Sequence, residues 1–184
     1  MPKVPPGRDR EVVLAALSSL YTEIDARARE LAARHAARMR CGPGCADCCT
    51  DDLTVFEVEA ELIRRGSPAL LDEAAAHPSG ACAFLDLDAR RTCRIYADRP
   101  FVCRTQGLPL RWFDELEVGT EPGGGEVVER RDVCPLNLEG LVLEELDASD
   151  CWLLGPEEAQ LAALEERFSG GERRRVALRL LFHA

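Results

Sequence analysis

No run of apolar residues in this sequence is long enough to cross a bilayer. The longest apolar stretches, such as Val12 to Leu17 and Val176 to Leu181, fall well short of the roughly 20 residues a spanning helix needs. The start, Met1-Pro2-Lys3-Val4-Pro5-Pro6-Gly7, lacks an apolar core and a small-residue cleavage site, so no secretory signal is expected and the expected location is cytoplasmic. A basic excess is also missing. The formal net charge is −10, which argues against a general nucleic-acid binder, because phosphate neutralisation needs a basic face. Arg173, Arg174 and Arg175, and Arg90, Arg91 and Arg94, are the local exceptions. There is no internal repeat and no low-complexity tract.

What is present is ordinary globular composition, 46% hydrophobic and 30% charged, which predicts an ordered core. The 184 residues suit one domain over 1–184. Its parts are an N-terminal helix (1–40), a cysteine-rich core (41–137) and C-terminal helices (138–184). Val13, Leu17, Leu20, Ile24, Ala28 and Leu31 recur at helical spacing and predict a packing helix from about Asp9 to Arg40. His35 reads as a surface or capping residue near its end. Thr54-Val55-Phe56-Glu57 reads as a capping box opening a helix to about Arg65. Ser67-Pro68 reads as the start of a short one to about His77.

Ala81 to Leu85 and Thr92 to Tyr96 predict a hairpin around the turn at 86–91. Asp98-Arg99-Pro100 introduces a short helix carrying Phe101 to Arg104. Leu108 to Trp112 and Val127 to Val133 read as extended, separated by a surface loop at 121–125. Leu138 to Leu154, Glu157 to Phe168 and the basic segment Arg173 to Phe182 read as helices. The fold class expected is therefore α+β, mainly α: amphipathic helices around a cysteine-rich metal-binding loop and a small β-hairpin.

Nine cysteines are many for this length. A disulfide framework calls for an oxidising compartment and an even count, and neither is indicated. Buried apolar cysteine fits Cys151, beside Trp152, but not four cysteines between Cys41 and Cys49. Metal ligation fits. Cys41-x3-Cys45-x2-Cys48-Cys49 brings several sulfurs into one glycine-containing loop. Cys82, Cys93, Cys103 and Cys134 are candidates for the remaining ligands. Neighbouring side chains of an extended segment point apart, so Cys48 and Cys49 are expected to serve two centres, or to act as one ligand and one thiol that either supports the ligands or is reactive. Eight cysteines satisfy two Cys₄ zinc sites, or one four-cysteine iron–sulfur cluster with spare thiols.

Arg91, Arg94, Arg99 and Arg104 lie near the later cysteines and either donate to sulfur or are plain surface charges. Asp47, Asp51, Asp52, Arg104, Gln106 and Trp112 are polar or aromatic groups able to line a substrate pocket. The spacing from Cys41 to Cys48 also matches the radical S-adenosylmethionine motif, but that chemistry sits on a large α/β barrel, and this chain does not alternate strand and helix.

The run Cys41 to Cys49, the string Cys93-Arg94-Ile95-Tyr96-Ala97-Asp98-Arg99-Pro100-Phe101-Val102-Cys103-Arg104, the segment Cys82-Ala83-Phe84-Leu85 and the closing Cys134-Pro135-Leu136-Asn137 together resemble the YkgJ-type cysteine-cluster family. That family is also called CxxCxxCC, a zinc- or iron-chelating domain. The resemblance spans roughly residues 41 to 137. It implies metal chelation by Cys41, Cys45, Cys48, Cys49, Cys82, Cys93, Cys103 and Cys134. The cofactor it implies is zinc or an iron–sulfur cluster of the 4Fe-4S type. A flagellin lysine methylase shares the motif in a longer chain, which points toward cluster chemistry. The first gap here has three residues where the family's name has two. Whether the protein is catalytic, and what partner it has besides metal, the sequence leaves open.

Overall fold

The computed structural model describes residues 6–42, 44–86, 90–117 and 125–183. The first helix, α1, spans Pro6–Arg34. Its predicted stripe is buried from Val13 through Leu17, Leu20, Ile24 and Ala28 to Leu31. Full burial of such a side chain is worth about 1.5–3 kcal/mol, so this stripe anchors the larger core. The helix stops before the predicted Arg40. There the chain turns, and His35, 5% exposed, pairs through Nε2 with the Asp150 carbonyl at 2.8 Å. A carbonyl only accepts, so this nitrogen carries the proton. His35 is thus a buried tether, not a surface or capping residue.

Thr54–Phe56 forms a strand, β1, rather than the first turn of a helix. It pairs antiparallel with β5 (Arg175–Ala177), Val55 opposite Val176. The helix α2 follows at Glu57–Gly66, and Glu59 Oε2 accepts from the Phe56 N–H at 3.0 Å. The reach-back of a capping box is therefore present, two residues later than Thr54 predicts. α3 (Pro68–Glu73) is shorter than predicted, and α4 covers Phe101–Arg104 as predicted.

The structure's hairpin is made by β2 (Leu110–Glu117) and β3 (Gly125–Asp132), Trp112 opposite Arg130. β4 (Trp152–Leu153) joins β2 in parallel. The hairpin predicted at 81–96 is reduced to a single bridge between Leu85 and Cys93. The tip of its turn at 87–89 and the predicted surface loop at 121–124 lie outside the described residues. The predicted helix over Leu138 to Leu154 is instead two 3₁₀ turns, Leu143–Glu145 and Ala148–Asp150, leading into β4. α5 spans Pro156–Phe168. The basic terminal segment is strand β5 and a 3₁₀ stretch, Leu178–His183. It docks on the core through Leu178 and Leu181, but through strand pairing rather than helical packing.

The result is an α+β fold, mainly helical. Among the described residues its apolar interior has two parts. One joins α1, α2, α4 and α5 through residues such as Leu17, Val58, Phe101, Trp152 and Phe168. The other gathers Val55, Ile63, Phe84, Ile95, Leu178 and Leu181, with Cys82 inside it and Cys49 and Cys93 packed against it. No helix among the described residues is long and apolar enough to cross a membrane.

Candidate metal centre

All nine cysteines carry free thiols. The segments that hold the eight candidates are mostly turns. Cys45 N–H donates to the Gly42 carbonyl and Cys49 N–H to the Ala46 carbonyl, each at 3.0 Å. The Cys82 N–H donates to the Cys49 carbonyl at 2.9 Å, which ties the second cysteine segment to the first. Cys93 sits on the bridge to Leu85, Cys103 on α4, and Cys134 directly before a 3₁₀ turn at Pro135–Asn137.

Mutual electrostatics divide the thiols into two groups. Burial raises the Cys41 thiol above its ordinary value, the Asn137 amide pulls it back, and Cys134, Cys45 and Cys48 add like-charge repulsion. Burial pushes Cys103 up to about 12, helped by Cys82 and Cys93 and then Cys48. Cys93 is raised by burial and by Cys82. Cys82 is also raised by burial, with Arg179 opposing. Cys41, Cys45, Cys48 and Cys134 thus form one neighbourhood, and Cys49, Cys82, Cys93 and Cys103 another.

The two neighbourhoods meet at Cys48 and Cys49. Asp47 and Cys48 lie in a turn rather than in extended chain, so these sulfurs interact instead of pointing apart. The Cys49 S–H stabilises the Cys48 thiolate, lowering Cys48. Cys49 is raised by that partnership, by burial, and then by Cys82 and Cys93. Thiols kept protonated by burial become thiolates when a cation supplies the missing compensation.

The donor chemistry suits zinc or iron. The geometry is gathered rather than closed: among the described residues no three His, Cys, Asp or Glu side chains are set so that they could hold a metal ion as they stand. Cys151 belongs to neither group. It is buried beside Trp152, raised by burial, and its charged neighbours are Arg131, Arg111, Glu129 and Asp150 rather than other thiols.

Of the two alternatives for these arginines, carboxylate and carbonyl pairing is the one seen. None donates to a sulfur among the described residues. Arg91 pairs with Asp47 at 3.3 Å. Arg94 donates to the Ala75 and Ala83 carbonyls, and Arg99 to Asp25 and the Tyr96 carbonyl. Both act on Cys93 only through space, favouring its thiolate. Of the predicted pocket residues, Arg104 and Gln106 border a cavity of about 560 Å³ that has Cys41 in its wall. Asp51 instead binds Arg179, and Trp112 lies on β2.

Three positions organise the cysteines: Arg179 and Gly107, which the sequence did not single out, and Asn137, which it showed only as the end of the Cys134 segment. Arg179 donates to Asp51 Oδ1 at 2.6 Å and to the Ala81 carbonyl at 2.9 Å, clamping the Cys49 and Cys82 segments with the chain's last turns. The Asp51 carboxyl is held below the usual range first by the Gly80 N–H and then by Arg179. Gly107, at φ +88°, faces Cys41, and a Cβ there would overlap the Cys41 sulfur.

Asn137 is the third, only 1% exposed. Its Oδ1 accepts from the Arg40 N–H at 2.7 Å. Its Nδ2 donates to the Gly107 carbonyl at 2.7 Å and to Cys41 Sγ at 3.3 Å. Its place three residues after Cys134 was a usable signal. Asn137→Ala leaves the Gly107 carbonyl unpaired in the interior and the half-buried Arg40 N–H without its acceptor. The expected cost is about 2–3 kcal/mol, read as a lowered urea midpoint, together with lower metal retention through gel filtration. A variant that keeps both would show Asn137 to be a bystander.

The chain belongs to the CxxCxxCC family: the family model, described as a putative zinc- or iron-chelating domain, matches residues 40–135. Metal chelation is therefore the property that its family membership supports. No curated protein and no solved structure matches the chain.

Proposed function

We propose that this protein carries two four-thiolate metal centres side by side, Cys41, Cys45, Cys48 and Cys134 holding one and Cys49, Cys82, Cys93 and Cys103 the other. The observation behind this reading is that Cys41 interacts with Cys134, Cys45 and Cys48, while Cys49 and Cys103 interact with Cys82 and Cys93, Cys48 being the thiol that also reaches Cys49 and Cys103. Four thiolates per centre suit zinc and an iron–sulfur cluster alike. The reading commits to iron–sulfur clusters of the 4Fe-4S type, since burial of Cys49, Cys82 and Cys93 against the second apolar cluster supplies the shielding from solvent that tunes such centres. The pairing of β1 with β5 and the docking of Leu178 and Leu181 support one working domain over the whole chain.

The test is elemental analysis with an absorbance spectrum on protein purified without oxygen. Brown protein with iron and acid-labile sulfide is expected. Colourless protein containing zinc alone would overturn the cluster assignment. Cys45→Ser and Cys93→Ser are each expected to remove about half of the metal, and Cys151→Ala none. Complete loss from either single substitution would replace two centres with one.

A second reading, a metal-dependent enzyme, is favoured by one observation: the cavity that reaches Cys41 would place a small molecule against the first centre.

A further inference from the structure

The cavity of about 560 Å³ lies between α1 and the chain from Tyr96 to Leu108. Its volume is that of a small-molecule site. Its wall is unusual for a protein of net charge −10, because Arg29, Arg99 and Arg104 line it against a single carboxylate, Asp25. Asp25 is shared: Oδ1 accepts from Arg99 at 3.0 Å and Oδ2 from Arg104 at 2.6 Å.

Arg104 has a 3% exposed side chain, stacks 3.8 Å from the Tyr21 ring centroid and donates to the Ala97 carbonyl. Its Nε–H is buried with no acceptor among the described residues. A guanidinium so deeply placed, with one arm unsatisfied and half a carboxylate as its counter-charge, is incompletely compensated. Arg29 goes further. It is exposed at the cavity's edge and, unlike Arg27 and Arg34 on the same helix, it forms no ion pair among the described residues.

Besides the Gln106 amide and the Cys41 thiol, the remaining wall is apolar or aromatic, with Ala28, Ala32, Met39 and Leu108 on one part of it and the ring of Tyr96 on another. Tyr96 is 66% exposed, although its ring carries the Arg99 guanidinium at 4.2 Å. An exposed aromatic face held by a guanidinium beside an uncompensated cation suits a ligand with one flat apolar part and one negative end.

We infer that this cavity binds a small organic carboxylate with an apolar or aromatic body, the carboxylate taken by Arg29 and the body laid between Tyr96 and the α1 wall. A carboxylate matches better than a phosphate, because Asp25 already offsets part of the charge at the inner end. The inference names a ligand class for the second reading above, and it rests on that reading only for the ligand's nearness to a metal at Cys41.

Calorimetric titration of the full chain as purified, at constant ionic strength, tests it with three probes: benzoate, neutral benzamide and inorganic phosphate. Benzoate is expected to saturate one site, with benzamide and phosphate each at least about tenfold weaker, the difference one charge-assisted hydrogen bond makes. Arg29→Gln is expected to weaken benzoate about tenfold, and Arg29→Lys by much less. Both should leave far-UV circular dichroism and metal content unchanged. Equal binding of benzoate and benzamide, tighter binding of phosphate, no saturable benzoate site, or an Arg29→Gln variant that binds benzoate normally would each overturn the inference. Metal content measured on the same samples separates the two ideas: benzoate binding in protein without metal would leave the pocket standing and remove only its link to a metal centre.

Discussion

Dialysis against a strong chelator is expected to unfold the cysteine-bearing part of this protein while α1 and α5 keep their packing. The reason lies in how little regular structure holds residues 41–53 and 74–100. Apart from the single Leu85–Cys93 bridge, the described residues there contain turns and bends, without a helix or strand. Ordering backbone costs roughly 1–2 kcal/mol per residue, and helical or sheet ladders do not offset that cost here. The second apolar cluster offsets part of it, but Cys82 is one of its members and Cys49 and Cys93 pack against it. Without a cation they remain buried or half-buried thiols, able to contribute as small hydrophobes only. Coordination instead cross-links segments far apart in sequence, and metal binding free energy then becomes folding free energy, about 10–16 kcal/mol for a structural zinc in small peptides.

Hydrogen exchange reads the outcome directly. After chelation the amides of Cys49, Cys82 and Arg94, bonded to Ala46, Cys49 and Phe84 in the native fold, should exchange quickly. Amides near Leu17 and Ile24 in α1 should stay protected. A chelated protein with an unchanged exchange pattern would show that metal is not structural here, whatever else it does.

How far this arrangement is legible beforehand depends on which physical signal dominates locally. α1, α4 and α5 are readable because amphipathic spacing, a proline-led start or a Gly-Pro break acts within a few residues. The stretch Leu138 to Leu154 has leucines at near-helical intervals, but it becomes 3₁₀ turns because its carbonyls are used elsewhere. Arg131 Nη1 takes the carbonyls of Leu143 and Leu146, and His35 takes that of Asp150. Thr54–Phe56 and Arg175–Ala177 are too short to show a period, and each is a strand only because the other is present.

At the site, the cysteine spacing reveals the ligand chemistry. Its division into two neighbourhoods depends on the path of the chain between residues 49 and 134 and could not be read in advance. The same holds for Arg179, whose role depends on the last turns docking beside Asp51, and for the arginine-rich basic runs. In those runs Arg91 pairs with Asp47, Arg173 with Glu166 and Arg174 with Glu172, so their charge is taken up by neighbouring carboxylates.

Replacing Glu165 by alanine is expected to be among the most destabilising single substitutions outside the cysteine segments. Glu165 is fully buried on α5, and it serves a helix that is not its own. α2 begins after Phe56, a residue with no side-chain acceptor for the free N–H groups of the first turn. Glu165 Oε2 accepts from the Val58 N–H at 2.9 Å. It does for α2 what a serine or aspartate cap would do from within the sequence, and the positive end of the helix stabilises its charge. The other oxygen, Oε1, accepts from Ser169 Oγ at 2.6 Å and from the Arg174 N–H at 3.0 Å. One carboxylate thus joins the start of α2, the end of α5 and the approach to β5. Alanine leaves these donors without a partner in the interior and opens a void, for an expected loss of about 3–5 kcal/mol. For a chain of this size that lowers Tm by roughly 10 °C. Glutamine keeps one acceptor and most of the volume, so Glu165→Gln should lose only about 1–2 kcal/mol. Urea denaturation of the two variants under conditions that retain metal discriminates: equal, small losses would mean that water reaches these N–H groups and that α2 does not depend on a cap lent by α5.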